Sequence, residues 1–277
     1  MIQPELWSRN NNITILANMK YMEKYKDKIK WKDGESILEF GMGCGRNTRE
    51  VLLPHLPENF KEYIGSDVTT PMVEHSRRTI IHQRMKIIQF DIECDSIPPE
   101  FVGRFDHIFS FMVMHWIQNT RQAFSNMYRM LKPGAEMFLT FGERISGNEF
   151  YDTMSRHPKW EQYGHEKLIS PFHFCEDVEK EYRTALQESG FTDYDFESEH
   201  REYQFPNEQA FDEFCYSINP IIAKIPEEDK DEYKKVYLEM MKKNSSLNFI
   251  RRCEKTGQNL FHSSYKLFVV LARKPNN

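Results

Sequence analysis

The chain has 277 residues, with 37 Lys and Arg against 42 Asp and Glu, a formal net charge of −5, and 39 % hydrophobic residues including 21 Phe, 13 Tyr and 14 Met. That length suits a single α/β domain carrying insertions, and that apolar content can fill a sizeable core. The acidic balance argues against a basic binder of nucleic acid or anionic membrane.

The segment MIQPELWSRNNN has no basic region leading into an apolar stretch, so no signal peptide is expected. LFVVLA (267–272) is far too short to span a bilayer. The cysteines at 44, 94, 175, 215 and 253 form no CxxC pair and no zinc-like spacing. No metal site is expected, and free thiols suit a reducing, cytoplasmic setting.

Taken in order, Ile13, Leu16, Ala17 and Tyr21 fall at helical spacing and predict a helix over 13–25. SILEFG (36–41) predicts a strand ending in glycine. NTREVLL (47–53) then opens a helix with Asn47 as N-cap, and Pro54 ends it. EYIGSD (62–67) is a second strand. TPMVEHSRRTI (70–80) is a helix with Thr70 as N-cap and Pro71 first inside. MKIIQFDIE (85–93) is a third strand, and FDHIFSFMVMHW (105–116) holds a fourth. Residues 121–131 form a helix burying Phe124, Met127 and Leu131. KPGA (132–135) is a turn before a fifth strand, EMFLTF (136–141).

Residues 145–175 read as irregular or helical, 178–190 as a helix closed by Gly190, and 193–205 as a strand. A helix-rich block over 207–250 carries the run EEDKDEYKK, read as a solvated helix face. SYKLFVVLARK (264–274) is the last strand. The expected organisation is one domain over 1–277, with a core at 36–141. Substrate-cap insertions are expected at 145–175 and 207–262.

Strand and helix alternate from 36 to 141, which predicts a mostly parallel, Rossmann-like sheet with right-handed crossovers. In such sheets ligands bind beyond the carboxyl ends of the strands. The glycines, Asp67, Asp91 and the His115–Trp116 pair all fall at those ends.

GMGCGRNT (41–48) raises the chemical question. A backbone without Cβ atoms lets a ligand come close, and a tight turn can need positive φ. A bare strand–helix turn with no ligand is the bland reading. The spacing is G-x-G-x-G behind Glu39, not the G-x-G-x-x-G that seats a pyrophosphate, which disfavours a dinucleotide oxidoreductase. Acid plus glycines fits a ligand with an ammonium group and no phosphate. Asp67 then suits ribose hydroxyls and Asp91 an adenine amine.

In order, ILEFGMGCG, IGSD, FDIE and LKPGAEMFLTF resemble the class I S-adenosylmethionine-dependent methyltransferases. The resemblance implies a seven-stranded, mostly parallel sheet flanked by helices. It also implies S-adenosylmethionine as cofactor and S-adenosylhomocysteine as product. Gly41, Gly43 and Gly45 would face the methionine moiety, Asp67 the ribose, and Asp91 with Ile92 the adenine. Glu39 stands where many members have Asp. Phe111, after the fourth strand, would lie near the reactive end of the cofactor.

KIKWKDGESILEFG, SFMVMHWIQNTRQAFSNMYRMLKPG and LISPFH further resemble the insect juvenile hormone acid O-methyltransferases. The likeness runs nearly from the first helix to the last strand. It implies methylation of the carboxyl group of farnesoic or juvenile hormone acid, a small apolar acid partner, with His115 and Trp116 at the substrate carboxylate. Thr14 falls where the family has a Gln that shares that carboxylate, so this chain departs there to a shorter donor. A neighbour such as Asn12 is one substitute.

A carboxylate is already ionised at neutral pH, so its attack needs no general base. The indole N–H of Trp116 is a donor only, as a carboxylate requires. The bland reading makes Trp116 core and His115 a satisfied loop residue. Aromatic and Met stretches at 111–114, 157–160, 172–174 and 211–216 are read mainly as core, with an apolar lining as the alternative. Two other functions remain open. Methylation of a hydroxyl or amine would need His115 as a base. A protein that binds S-adenosylmethionine or a terpenoid without turnover would need neither. Whether the chain is a monomer or a homodimer is not legible.

Overall fold

The structure is a computed structural model that describes residues 3–243 and 246–276. Its helices are α1 (Pro4–Asn10), α2 (Asn12–Tyr25), α3 (Thr70–Thr79), α4 (Thr120–Met130), α5 (Asn148–Met154), α6 (Val178–Glu188), α7 (Glu208–Ile218) and α8 (Lys230–Lys243). Its strands are β1 (Ser36–Phe40), β2 (Glu62–Asp67), β3 (Met85–Gln89), β4 (Phe105–Phe111), β5 (Leu131–Gly142), β6 (Asp193–Gln204), β7 (Asn248–Arg252) and β8 (Asn259–Arg273).

The strands form one sheet in the order β3-β2-β1-β4-β5-β8-β6, with β7 on β8. The first five run parallel, and β8 is antiparallel to β5, β6 and β7. This is the expected Rossmann-like α/β architecture, enlarged to eight strands. Strand alternation divides the core between two faces. Ile37, Phe109, Phe138 and Val269 point to the side of α2, while Leu38, Ile108, Met137 and Val270 join Phe124 of α4 and Tyr182 of α6.

Several local expectations change. The turn after the glycines is not a regular α-helix but a π-type turn over Thr48–Leu52 followed by a 3-10 turn at Leu53–His55. Asn47 makes no side-chain cap; its Oδ1 accepts from Asn18 Nδ2 at 2.9 Å. Thr69, not Thr70, takes the N-cap position of α3, without a side-chain cap bond. Strand β5 runs through KPG, and its register with β4 shifts between Phe105 and His107. The expected cap over 207–262 ends in sheet, because β7 and the first residues of β8 occupy its last part. The EEDKDEYKK face is solvated except for buried Tyr233.

Helix α2 is set on the sheet by charge. Lys20 and Lys24 of α2, and Lys28 in the turn just after it, meet Glu199, Glu197 and Asp195 of β6 at 2.7, 2.5 and 2.8 Å. Four helical residues rise about 6 Å and two strand residues about 6.6 Å, so the two repeats stay in step. Leu16, expected on the buried face, is 55 % exposed. The buried stripe instead includes Thr14 and Asn18. Asn18 Oδ1 accepts from Thr140 Oγ1 at 2.6 Å, tying α2 to β5 as well as to the glycine turn.

Candidate active site

The glycine turn leaves β1 with Gly41, Gly43 and Gly45 at φ of 65°, 58° and 73°. A Cβ on Gly41 would stand 2.3 Å from Val113 Cγ2, so the bare backbone lets the 112–116 segment close in. The Gly43 N–H donates to Asp67 Oδ2 at 2.9 Å. Asp67 Oδ1 accepts from the Thr69 N–H at 2.9 Å and from Thr69 Oγ1 at 2.7 Å. A carboxylate offers about four lone-pair sites, so three are already used in positioning Asp67.

Glu39 lies beneath the turn. Its Oε2 accepts from Thr48 Oγ1 at 2.5 Å and from the Tyr63 hydroxyl, while its Oε1 is buried without a partner among the described residues. Burial pushes this carboxyl up to about 7.

At the end of β4 the chain turns sharply. Met112 takes φ 62°, a left-handed conformation costly for a side-chain-bearing residue. Its N–H donates to Thr140 O at 2.6 Å, and a 3-10 turn follows over Met114–Trp116. Tyr182 holds that turn by donating to Met114 O at 3.2 Å. His115 is buried, and its Nδ1 accepts from the Gly142 N–H at 3.1 Å. Burial alone lowers the ring to about 3. The neutral ring therefore carries its proton on Nε2 and acts as a donor. The Trp116 indole N–H has no partner among the described residues.

Two cavities meet at this turn. The larger, about 310 Å³, is lined by Gly41, Asp67, Asp91, Ile92 and Val113, among others. The smaller, about 80 Å³, is lined by Thr14, His115, Trp7, Phe214 and others. Met112, Trp116 and Ile218 line both, so these three side chains stand where the cavities adjoin.

The expected site residues therefore separate. Gly41, Asp67, Asp91, Ile92 and Trp116 line the larger cavity, and Thr14, His115 and Trp116 the smaller. Glu39, Gly43 and Gly45 line neither: the two glycines shape the turn and Glu39 lies beneath it. Phe111 also lines neither; strand alternation points it into the core beside Phe109 and Phe138, each 6.4 Å away between ring centres. Met112, one residue on, faces the cavities in its place. The Thr14 hydroxyl donates to Asn11 O at 2.9 Å, so its proton is spent within α2. Asn12 lines neither cavity.

Other residues were not anticipated. Thr69 follows Asp67 at the spacing of an Asx turn, a signal present in the sequence. Buried Asn126 of α4 donates to Ile92 O and Cys94 O, both at 2.8 Å, and so shapes the Asp91–Ile92 loop. Nothing local in the sequence points to Asn126. Of the aromatic stretches, Phe214 reaches a cavity, Trp160 packs against Tyr233 in the cap, and Phe174 is 77 % exposed.

Comparison with known proteins agrees with this architecture. Residues 38–137 match a family model described as a methyltransferase domain. The chain is 27 % identical to juvenile hormone acid O-methyltransferase of Drosophila melanogaster, over 99 % of this chain and 93 % of that one. It is 26 % identical to juvenile hormone acid O-methyltransferase of Bombyx mori, over 99 % and 98 %. Among solved structures, phosphoethanolamine N-methyltransferase 2 of Haemonchus contortus shares the fold at a TM-score of 0.51 and 18 % identity, covering 94 % of this chain and 53 % of that one. The YcgJ protein of a Bacillus shares it at 0.54 and 14 %, covering 95 % and 100 %. No helix among the described residues is long and apolar enough to cross a membrane.

Proposed function

We propose, from the premise that the chain belongs to the juvenile hormone acid O-methyltransferase family of class I methyltransferases, that it transfers the methyl group of S-adenosylmethionine to the carboxylate of a small apolar acid. Farnesoic acid and juvenile hormone acid are the leading candidates. The larger cavity suits the cofactor: Asp67 keeps about one lone-pair site for a ribose hydroxyl, and Asp91 and Ile92 stand where the adenine would lie. Glu39 lines neither cavity, so the charge of its unpaired Oε1 would reach an ammonium only across the glycine turn.

Bound there, S-adenosylmethionine would supply a methyl on its sulfonium, transferable to a carboxylate oxygen as the C–S electron pair returns to sulfur. The protein has to align the partners and exclude water. Met112, Trp116 and Ile218, which line both cavities, stand where both would happen. His115 Nε2–H and the Trp116 N–H are the two donors suited to hold the acid.

The observation that carries this reading is the Gly142 N–H on His115 Nδ1. It makes the imidazole a neutral donor and removes it as a base. A hydroxyl or amine acceptor would need that base; a carboxylate does not. The test is incubation with methyl-labelled S-adenosylmethionine and farnesoic, juvenile hormone, medium-chain fatty and benzoic acids. Labelled methyl ester is expected. Bound cofactor with no ester from any acid would overturn the reading.

A further inference from the structure

The smaller cavity is tight for the acids named above. At about 80 Å³, and with roughly 10–15 Å³ needed for each water-sized group, it has room for about five to eight such groups. A sesquiterpenoid acid runs well beyond that, so past its first few carbons its chain must meet the lining.

The head of the acid is fixed, on the reading above, by donors on the single turn Met114–Trp116. Its chain must then run toward the apolar lining. Beside Trp116, the bulkiest apolar side chains of that lining are Trp7 and Phe214. They come from α1 and α7, far apart in sequence, and their ring centres lie 5.8 Å apart. Both are buried. Asn10 Nδ2 bolts the same two helices together by donating to Glu213 Oε2 at 2.8 Å, while also reaching Leu6 O at 3.0 Å. Neither ring lines the larger cavity, so they bear on the acid and not on the cofactor.

We infer that the Trp7–Phe214 pair sets the chain length of the acid that this enzyme accepts. The inference rests on the carboxylic-acid reading of the site. Short acids fit beneath the closed pair. Long acids bind only by parting it, which opposes the aromatic contact and the Asn10–Glu213 bond. Shortening either ring removes that opposition without touching the donor turn.

The test is the ratio of kcat/KM for farnesoic acid to that for hexanoic acid, measured on the full chain with methyl-labelled S-adenosylmethionine. Phe214→Ala should raise the ratio roughly 10-fold, the order of discrimination that an apolar wall provides. Phe214→Leu should give an intermediate rise, and Trp7→Phe a rise in the same direction. Calorimetric binding of S-adenosylmethionine should stay at the wild-type value, which also certifies folding. A ratio unchanged in Phe214→Leu and Trp7→Phe, with ester formed from both acids and cofactor bound, overturns the inference alone. No ester from any acid by the wild type, with cofactor bound, overturns the acid reading and the inference with it.

Discussion

The backbone N–H of Gly142 donates to Nδ1 of His115 at 3.1 Å, and this one bond decides the chemistry available to the turn after β4. A ring held near 3 by burial stays neutral throughout the physiological range. The wild-type kcat should therefore be flat between about pH 6 and 8. His115→Ala should lower kcat/KM roughly 10- to 100-fold, the worth of a hydrogen bond to a charged group, without changing the shape of the profile. A rate that falls with protonation near neutrality would make His115 a base.

The same burial should appear in stability. His115 and His165 are lowered to about 3 and 4 by desolvation, so below pH 6.5 the unfolded chain binds protons that the folded one does not. Stability should fall with pH there, by about 2 kcal/mol for each ring at pH 5. Glu39 opposes this: raised to about 7, its folded form holds a proton that the unfolded chain releases above about 4.5. Urea unfolding from pH 7 to pH 5 should show a shallower loss in His115→Asn than in the wild type, and a steeper one in Glu39→Gln.

Trp116 and Thr14 should behave differently although both line the smaller cavity. Trp116→Phe removes the N–H and keeps most of the ring. It should cut kcat/KM for the acid roughly 10- to 100-fold while leaving cofactor affinity nearly unchanged in calorimetry. Thr14→Val removes a hydroxyl already spent on Asn11 O. It should lower stability by about 1 kcal/mol and leave KM for the acid alone. A tenfold rise in KM would mean that Thr14 turns its hydroxyl to the substrate.

Gly41 should not tolerate a side chain. A Cβ there meets Val113 Cγ2 at 2.3 Å on a backbone of φ 65°. Left-handed strain costs about 1–2 kcal/mol and overpacking about 1–3 kcal/mol. Gly41→Ala should lose stability on that scale and bind S-adenosylmethionine weakly, because Val113 walls the larger cavity. Adding Val113→Ala should recover the steric part and leave the φ part, which thermal melting can separate.

Asp67→Asn should be nearly as damaging as Asp67→Ala. Both carboxylate oxygens accept from N–H or O–H donors. An amide nitrogen on either side would face a donor and leave it unpaired, at about 1–3 kcal/mol. Calorimetry should find S-adenosylmethionine affinity reduced by roughly two orders of magnitude in both. Wild-type affinity in the Asn variant would show that the carboxylate is dispensable.

Alternation of apolar strands with helices between 36 and 141 determined the parallel sheet, and the strand ends brought Gly41, Asp67, Asp91 and Trp116 to one cavity, with His115 on the one beside it. Those are one-dimensional signals: period, turn residues and chain order survive in the bare sequence. Side-chain direction does not. Whether residue 111 or 112 faces the site depends on a positive φ at Met112 that no residue type announces. The buried face of α2 carries Asn18 because Thr140 and Asn47 wait across the packing, and apolar spacing alone pointed to Leu16. The proton on His115 was likewise settled by Gly142, 27 residues on. The Trp7–Phe214 contact joins α1 to α7, far apart in the chain. Such pairings arise only when distant segments share one low-dielectric interior, where each polar group must find its partner and each ring its space.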